Sequence, residues 1–175
     1  MKEYLETERL ILRPFLFADA PLIFALNADP EVMKFLPKDE VYTSEEQAAD
    51  FLDQYIRKAQ DWQFSRWTVL RKSDQKKLGW CGLREVEKGE VDLGFRFLRE
   101  YWGQGYATES GQRWLEYGFN EGKLAQIVAQ AAAGNLGSQR VLTKLNFVRE
   151  PEDDAVAYGF QWLKYRLPAP KERTR

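Results

Sequence analysis

Residues 93–109 constrain the chain more than any other segment. They begin with the apolar pattern of a strand, continue through two glycines, Gly103 and Gly105, and end in the pattern of a helix. A helix that starts directly after a turn leaves its first backbone N–H groups without intrahelical partners. Together with the positive end of the helix dipole, these groups form a binding site for phosphate. The segment therefore predicts a strand–turn–helix unit that binds a phosphorylated ligand.

Length and composition indicate one folded domain. The chain has 175 residues, of which 44% are hydrophobic, so it can bury a sizeable core. We expect one domain over residues 1–168 and a flexible C-terminal tail over residues 169–175. The 26 basic and 27 acidic residues nearly cancel, which argues against a nucleic-acid binder. No apolar run approaches the ~18 residues of a membrane span, and residues 1–4 lack a signal pattern. We therefore expect a cytoplasmic protein with no membrane partner.

The sequence contains no histidine, and this excludes several kinds of catalysis. Ser–His–Asp and Cys–His arrangements need imidazole as a base. Histidine metal sites are excluded too, and the single cysteine, Cys81, cannot build a thiolate site, so we expect no metal. Cys81 lies in a predicted strand and is expected to be a buried, unreactive thiol. Any general base must be a carboxylate, tyrosine, lysine, cysteine or a water chain.

Hydrophobic periodicity predicts an α+β fold. Helices are expected at residues 19–27, 44–59 and 106–120, with another starting at residues 135–138. Strands are expected at residues 8–14, 66–71, 77–87, 90–98, 127–131, 147–149 and 157–167. A tight turn at Lys88 and Gly89 should join two of these strands as a hairpin. We therefore expect a twisted, mostly antiparallel sheet of six to seven strands with about four helices on both faces.

Two common phosphate-binding motifs do not fit the glycine turn. A P-loop needs Gly-x-x-x-x-Gly-Lys-Ser/Thr, which the chain lacks. A dinucleotide fingerprint needs a third glycine where the chain has Thr108, and it belongs in a βαβ unit. The strand before the turn is instead predicted to be part of an antiparallel meander. Both dinucleotide interpretations are therefore disfavoured.

Three motifs in the same order resemble the GNAT N-acetyltransferases. Trp-Gly-Gln-Gly-Tyr-Ala at residues 102–107 resembles their acetyl-CoA pyrophosphate loop. Residues 7–14 resemble the opening strand of the branch that includes the ribosomal-protein N-terminal acetyltransferases RimJ and RimL. Asn135 and Ser138, followed by Leu-Asn-Phe at residues 145–147, resemble the second cofactor motif of that branch. The resemblance spans residues 7–166 and implies the GNAT fold, acetyl-CoA as cosubstrate, and acetyl transfer to a primary amine by direct attack in a ternary complex.

The resemblance also implies which residues bind the cofactor. Backbone groups at the exit of the strand would pair with the pantetheine, and N–H groups of the glycine turn would bind the pyrophosphate. The implied cofactor-binding residues are Phe97, Leu98, Arg99, Trp102, Gly103, Gln104, Gly105, Tyr106, Ala107, Thr108, Asn135 and Ser138. Asn135 is equally suited to be the N-cap of the helix that follows it.

Three residues are candidates for catalysis. Asp92 stands where several GNAT relatives carry a catalytic glutamate, and Glu85 on the adjacent strand is the second candidate base. The alternative for each is a solvated strand carboxylate, with Asp92 paired to Arg96. Leu142 stands where many GNAT enzymes have the tyrosine that protonates the thiolate. Ser138 is therefore the candidate donor toward the CoA sulfur.

The sequence leaves the acceptor open. An α-amine has a pKa of about 8, against about 10.4 for lysine, so a protein N-terminus is the easier nucleophile for a carboxylate base. The alternatives are a small amine, such as a polyamine, amino acid or aminoglycoside, and a non-catalytic acyl-CoA-binding sensor. Monomer and homodimer both remain open.

Residues 35–42, the helix from Ser44 and residues 151–154 are expected to form the acceptor wall. Five acidic residues there either favour a cationic acceptor or are solvated loop charges, and the second interpretation is preferred for most of them. They are Asp39, Glu40, Glu152, Asp153 and Asp154.

Overall fold

The computed structural model describes residues 4–86 and 89–170. Within these residues the chain forms one nine-stranded sheet with helices on both faces. The helices are α1 (Ala20–Ala28), α2 (Pro30–Met33), α3 (Glu45–Ala59), α4 (Tyr106–Asn120) and α5 (Leu136–Lys144). The strands are β1 (Leu5–Glu6), β2 (Leu10–Pro14), β3 (Arg66–Arg71), β4 (Lys77–Glu85), β5 (Val91–Phe97), β6 (Gln126–Ala132), β7 (Val148–Arg149), β8 (Ala155–Ala157) and β9 (Phe160–Pro168). Lys88 of the expected hairpin turn, Glu87 of the expected strand, and residues 171–175 of the expected tail lie outside the described residues.

The sheet is an antiparallel meander extended by one parallel contact. Its spatial order is β1-β2-β3-β4-β5-β6-β9-β7, and β8 pairs with β9. Among the described strands, β5 and β6 are the parallel neighbours, and the other pairs are antiparallel. Helix α4 forms the crossover between β5 and β6, as a parallel connection requires. The predicted α+β fold with a mostly antiparallel sheet is confirmed.

Each face of the sheet has its own core because side chains alternate along every strand. Trp67 of β3 and Trp114 of α4 lie in the first core, with ring centroids 4.9 Å apart. Leu26 of α1 and Leu52 of α3 are fully buried in the second core, on the opposite face. Leu142 of α5 belongs to the first core, so α4 and α5 share one face. The prediction of helices on both faces is confirmed.

Three short elements were not predicted. Strands β1 and β8 have 2 and 3 residues, and α2 has 4. Elements this short contain too little of a hydrophobic period to be recognised by it. Helix α2 forms because Asp29 caps it, with Oδ1 accepting a hydrogen bond from the Glu31 N–H at 2.9 Å, and because Pro30 occupies its first position.

Several local predictions are confirmed. Gln47 closes the capping box before α3, because its Oε1 accepts a hydrogen bond from the Ser44 N–H at 3.2 Å. Asn146 adopts the left-handed conformation, with φ of +64°. Cys81 is fully buried as expected, and this burial raises the pKa of its thiol to about 12.

In the part of the chain that the structure describes, no helix is both long and apolar enough to cross a bilayer.

Candidate active site

The central feature of the site is the divergence of β5 from β6. Among the described residues, the register between these strands contains one pair, Asp92 with Val128. On its other side, β5 is bonded to β4, and the Leu98 N–H donates to the Leu78 carbonyl at 3.0 Å. Because bonded and non-bonded positions alternate in an antiparallel ladder, Phe95 and Phe97 direct their N–H and C=O groups toward β6. These groups line an opening that an extended ligand can enter as an additional strand.

The glycine turn lies at the end of β5. Gly103 and Gly105 have φ of +74° and +84°, which side chains disfavour, and Gly105 is the N-cap of α4. Its carbonyl accepts the first intrahelical bond, from the Glu109 N–H at 2.9 Å. The N–H groups of Tyr106, Ala107 and Thr108 therefore precede the helical ladder and have no intrahelical acceptor. This arrangement matches the predicted phosphate-binding unit.

Two arginines flank this turn, and sequence reasoning did not single them out. Arg9 Nη2 donates to the Gln104 carbonyl at 3.2 Å, and its guanidinium carbon lies 4.6 Å from the centre of the Tyr106 ring. Arg71 Nη1 donates to the Tyr106 hydroxyl at 3.3 Å. Each arginine is also paired with a carboxylate at 2.6 Å, Arg9 with Glu109 in the first turn of α4 and Arg71 with Asp74. No sequence signal connects Arg9 with a turn 95 residues further along the chain.

The predicted residues at the strand exit are brought together, although some of their polar groups are already bonded. Trp102 Nε1 donates to the Phe97 carbonyl at 2.8 Å, and the Leu98 N–H is bonded to β4. Arg99 Nε lies 3.5 Å from Asp29 Oδ2 at the start of α2. The alternation of the β4–β5 pairing directs the Phe97 N–H away from β4 and into the opening, where it can donate to a ligand. Gln104 folds back on its own loop, with Nε2 donating to the Glu100 carbonyl at 2.8 Å.

The two candidate bases lie on opposite faces of the sheet. Asp92 pairs in register with Arg84 and faces α1 and α3, whereas Glu85 shares the face of Leu83, which packs against α4. Glu85 is exposed at the end of its strand. Asp92 is mostly buried and is part of the pair that joins β5 to β6. The structure therefore does not bring Asp92 and Glu85 together.

Asp92 pairs with Arg66 and not with Arg96. Arg66 Nη2 donates to Asp92 Oδ1 at 2.7 Å, and its Nη1 donates to the Asp92 carbonyl at 3.0 Å. Arg66 reaches Asp92 because Gly94 has no side chain; a Cβ there would lie 2.7 Å from the guanidinium carbon. Arg96 instead donates to Asn27 Oδ1 at 2.8 Å and to Glu40 Oε2 at 3.0 Å. The pairing of Asp92 with Arg96 was wrong, because Arg96 points toward α1.

Arg96 and Arg66 both lie against the Trp80 ring. Their guanidinium carbons are 5.4 Å and 5.6 Å from its centre. Burial lowers the pKa of Arg96, while the neighbouring Glu40 opposes that change. Arg96 thus anchors the segment before α3 to β5, on the same face of the strand as Asp92.

The second motif forms the start of α5. Asn135 Oδ1 accepts a hydrogen bond from the Ser138 N–H at 3.1 Å, so Asn135 is the N-cap. Ser138 lies in the first turn and is half-buried. Leu142 is 1% exposed and packs in the core, so its position supplies no hydroxyl group. A role of Ser138 toward the sulfur stays a prediction.

Three of the five acidic residues of the expected acceptor wall have a cationic partner. Asp154 forms an ion pair with Arg149, and Asp153 lies 3.4 Å from Arg166. Glu40 is held by Arg96. Arg166 also binds Glu90 and Glu150, so Asp153 shares its cation with two other carboxylates. Among the described residues, no cluster of three or more Cys, Asp or Glu side chains could hold a metal ion.

Comparison with known proteins agrees with this geometry. Residues 9–148 match the Acetyltransferase (GNAT) domain family. The chain is 31% identical to an uncharacterized N-acetyltransferase, p20, of Bacillus licheniformis, over 85% of this chain and 84% of that protein. A GNAT-family acetyltransferase of Bacillus anthracis has a similar structure, with a TM-score of 0.82, 25% identity, and coverage of 95% of this chain and 98% of that one. RimL, a ribosomal L7/L12 alpha-N-protein acetyltransferase solved with coenzyme A, shares the fold with a TM-score of 0.80 at 16% identity, over 95% and 98% of the two chains.

The glycine turn, the diverging strands and the family match over most of the chain lead to one conclusion. GNAT acetyltransferases use acetyl-CoA. The chain belongs to the GNAT family and is an acetyl-CoA-dependent N-acetyltransferase.

Proposed function

We propose that this enzyme acetylates the α-amine of a protein N-terminus, as RimJ/RimL-like enzymes do. The observation that carries the proposal is the position of Asp92 at the point where β5 and β6 diverge. A carboxylate is a weak base, and an α-amine, with a pKa of about 8, releases its proton more easily than a lysine at about 10.4.

In the proposed cofactor site, the N–H groups of residues 103–108 bind the diphosphate, and Arg9 adds positive charge beside them. The N–H of Phe97 and the peptide groups of Phe95 pair with the pantetheine amides. Trp102 holds the Phe97 carbonyl and thereby shapes the mouth of the opening. Asn135 and Ser138 border the sulfur at the start of α5, where the helix dipole favours negative charge.

In the proposed reaction, the amine approaches from the face of α1 and α3, on which Asp92 lies. Its nitrogen attacks the thioester carbonyl carbon, and the carbon–sulfur bond then breaks. Asp92, directly or through one water molecule, accepts the proton that the amine loses and later releases it to solvent. Ser138 donates a proton toward the departing thiolate and recovers it from solvent. The Phe97 N–H, aimed into the opening, is suited to stabilise the developing charge on the carbonyl oxygen.

The proposal is tested by measuring thiol release from acetyl-CoA with a panel of acceptors. The panel contains N-terminal peptides, the same peptides with a blocked α-amine and one internal lysine, and small amines such as spermidine. We expect the free N-terminal peptides to give the highest kcat/KM and the blocked peptides to give little turnover. Higher kcat/KM for spermidine or another small amine would contradict the proposal. Tight CoA binding without turnover of any acceptor would instead favour the non-catalytic sensor.

A further inference from the structure

Two glycines lie directly opposite each other in the interior of the sheet. Arg66 of β3 is in register with Gly82 of β4, and Gly82 is in register with Gly94 of β5. A glycine inside a strand weakens it and often marks a place where another group approaches closely. At Gly94 that group is the Arg66 side chain, because a Cβ there would lie 2.7 Å from the guanidinium carbon and from Nη2. The glycines therefore leave room for one arginine side chain to cross β4.

The Arg66 side chain ends at Asp92. Its Nη2 donates to Asp92 Oδ1 at 2.7 Å, and its Nη1 donates to the Asp92 carbonyl at 3.0 Å and to the Gly82 carbonyl. The guanidinium thus holds the side chain and the main chain of Asp92 at the same time, which restricts the side-chain dihedral angles of Asp92. A lysine has one nitrogen in place of this planar fork and cannot reproduce the arrangement.

Arg66 is itself held in place. Its side chain is 8% exposed, and the guanidinium carbon lies 5.6 Å from the centre of the Trp80 ring. Its backbone N–H donates to the Tyr55 hydroxyl of α3 at 2.7 Å. A buried partner with so little freedom can fix the position of the carboxylate that it binds.

One oxygen of Asp92 is left for the reaction. In the part of the chain that the structure describes, Oδ1 accepts from Arg66, and no donor is bonded to Oδ2. The Asp92 side chain is 22% exposed and Oδ2 is not buried, so an amine or a water molecule can contact it. Proton transfer needs this oxygen in one direction, since a displacement of about 1 Å can lower a rate by ~10²-fold.

From these contacts we infer that Arg66 is a positioning residue, which fixes Asp92 so that Oδ2 faces the amine of the acceptor, and that Gly94 leaves the space this requires. The inference rests on the proposed function, because it assumes that Asp92 accepts the proton of the amine. Arg66 acts through Asp92 and touches neither the acceptor nor the cofactor. An arginine that only held β3, β4 and β5 together would affect folding, and its effect on kcat would not depend on Asp92.

The test measures kcat for Arg66→Lys in the wild-type protein and in Asp92→Asn, with the acceptor that gives the highest kcat/KM in the panel. Arg66→Lys alone should lower kcat by ~10–100-fold and leave the Kd for CoA within ~2-fold. In the Asp92→Asn background, the same change should lower kcat by less than ~2-fold. The losses are expected to be non-additive because a residue that acts through Asp92 then has no base to position.

Gly94→Ala displaces the guanidinium without removing its charge. The new Cβ meets the end of a flexible side chain, which can move aside, so the protein should fold while the bond to Asp92 is lost. We expect kcat to fall by ~10-fold, with folding checked by thermal unfolding. Gly111→Ala is the matched control, because its Cβ would lie 2.8 Å from Leu145 Cδ1 on the other face of the sheet, and it should leave kcat unchanged.

The possible failures of this test differ from one another. Unchanged kcat in both Arg66→Lys and Gly94→Ala would overturn the inference alone. An equal loss of kcat with and without the Asp92 carboxylate would also overturn it, because that is how a purely structural residue behaves. Near-complete activity in Asp92→Asn would overturn the proposed base and the inference with it. Preferred turnover of a small amine would overturn only the protein acceptor, since the same variants are then measured with that amine.

Discussion

At the scale of single residues, Arg66 fixes the orientation of the Asp92 side chain. Its guanidinium binds both the side chain and the carbonyl of Asp92, and its own N–H donates to the Tyr55 hydroxyl of α3 at 2.7 Å. Asp92 could be recognised in the sequence from its place in the strand. Its partner could not, because Arg66 lies 26 residues away and nothing in the local pattern distinguishes it from Arg96. Side-chain partners across a sheet depend on register, which periodicity alone does not fix.

The first prediction concerns Asp92→Asn. This variant retains an oxygen that can accept from Arg66 but loses the base, so we expect kcat to fall by ~10²–10⁴-fold. The Kd for CoA, measured by calorimetry, should stay within ~2-fold, because the turn proposed to bind the phosphates is untouched. Glu85→Gln is the matched control and should retain activity, since Glu85 lies on the other face. Near-complete activity in Asp92→Asn would remove Asp92 from the catalytic role.

The second prediction concerns Asp19, a carboxylate with 0% exposure. Its oxygens accept from Arg13 Nη1 at 2.7 Å and from the Thr68 hydroxyl at 2.7 Å, and Lys77 Nζ lies 2.8 Å away. Burial alone would raise the pKa of Asp19, but these partners outweigh it and hold the pKa well below its usual range. Because the folded pKa is lowered, this stabilisation is present above about pH 4 and is lost as the pH falls toward the folded pKa.

Asp19→Asn should therefore reduce the free energy of unfolding by ~3 kcal/mol at pH 7, because two cations lose their common partner. The difference from the wild-type protein should shrink at pH 3, because Asp19 of the unfolded chain, with an ordinary pKa of about 3.9, then takes up a proton while the folded protein keeps the carboxylate ionised. Urea titrations at the two pH values measure both quantities. Asp53→Asn, which removes an exposed i,i+4 pair with Arg57, should change stability by less than ~0.5 kcal/mol. An equal loss at pH 7 and pH 3 would refute the electrostatic explanation.

At the scale of elements, α4 and the turn before it were the most predictable part of the site. The glycines and the apolar face of the helix can be recognised in the local sequence. The observed helix, Tyr106–Asn120, has the predicted bounds. What surrounds the turn was not predictable, because Arg9 comes from the far edge of the meander. Arg9 Nε donates to Glu109 Oε2 at 2.6 Å. This contact connects the residue before β2 to the first turn of α4. The resemblance identified the motif that contains Arg9, but only the folded chain brings it to the turn.

The third prediction follows for Arg9→Ala. It removes the cation paired with Glu109 beside the proposed diphosphate site and leaves that carboxylate without its cation, so we expect the Kd for CoA to rise by at least ~10-fold. Binding of pantetheine, which has no phosphate, should change by less than ~2-fold. Arg57→Ala, on the exposed side of α3, serves as the control and should affect neither ligand. Equal weakening for CoA and pantetheine would indicate general damage to the fold and contradict the assignment.

At the scale of the whole molecule, the sheet consists of two parts that share one register pair among the described residues. The order of strands could be anticipated as far as β5, since adjacent strands of a meander follow the chain. The parallel contact and the insertion of β9 between β6 and β7 could not, because the strand pattern carries no information about long-range neighbours. The divergence itself is a property of the assembled sheet. It is also the feature on which the proposed cofactor site depends.

The fourth prediction is that CoA binding completes this sheet. Saturation at 100 times Kd should stabilise the protein by ~2.7 kcal/mol and raise Tm by ~5–10 °C. Hydrogen exchange should slow most at the amides of Phe95, Phe97 and Tyr106, which face the opening or the phosphate site. The Leu98 amide is already bonded to Leu78 and should change little. Protection of Leu98 without Phe97 would contradict the proposed strand-like binding.

The hydrogen bond from the Trp102 indole to the Phe97 carbonyl has a practical consequence. The indole is 48% exposed and lies at the mouth through which the pantetheine is proposed to pass. We therefore expect its emission to change when that mouth is filled, which would give the enzyme an unlabelled fluorophore for ligand occupancy. The difference in quenching between the wild-type protein and Trp102→Phe isolates this signal from the other tryptophans. Rates of CoA entry and release can then be followed in stopped-flow mixing without an acceptor present.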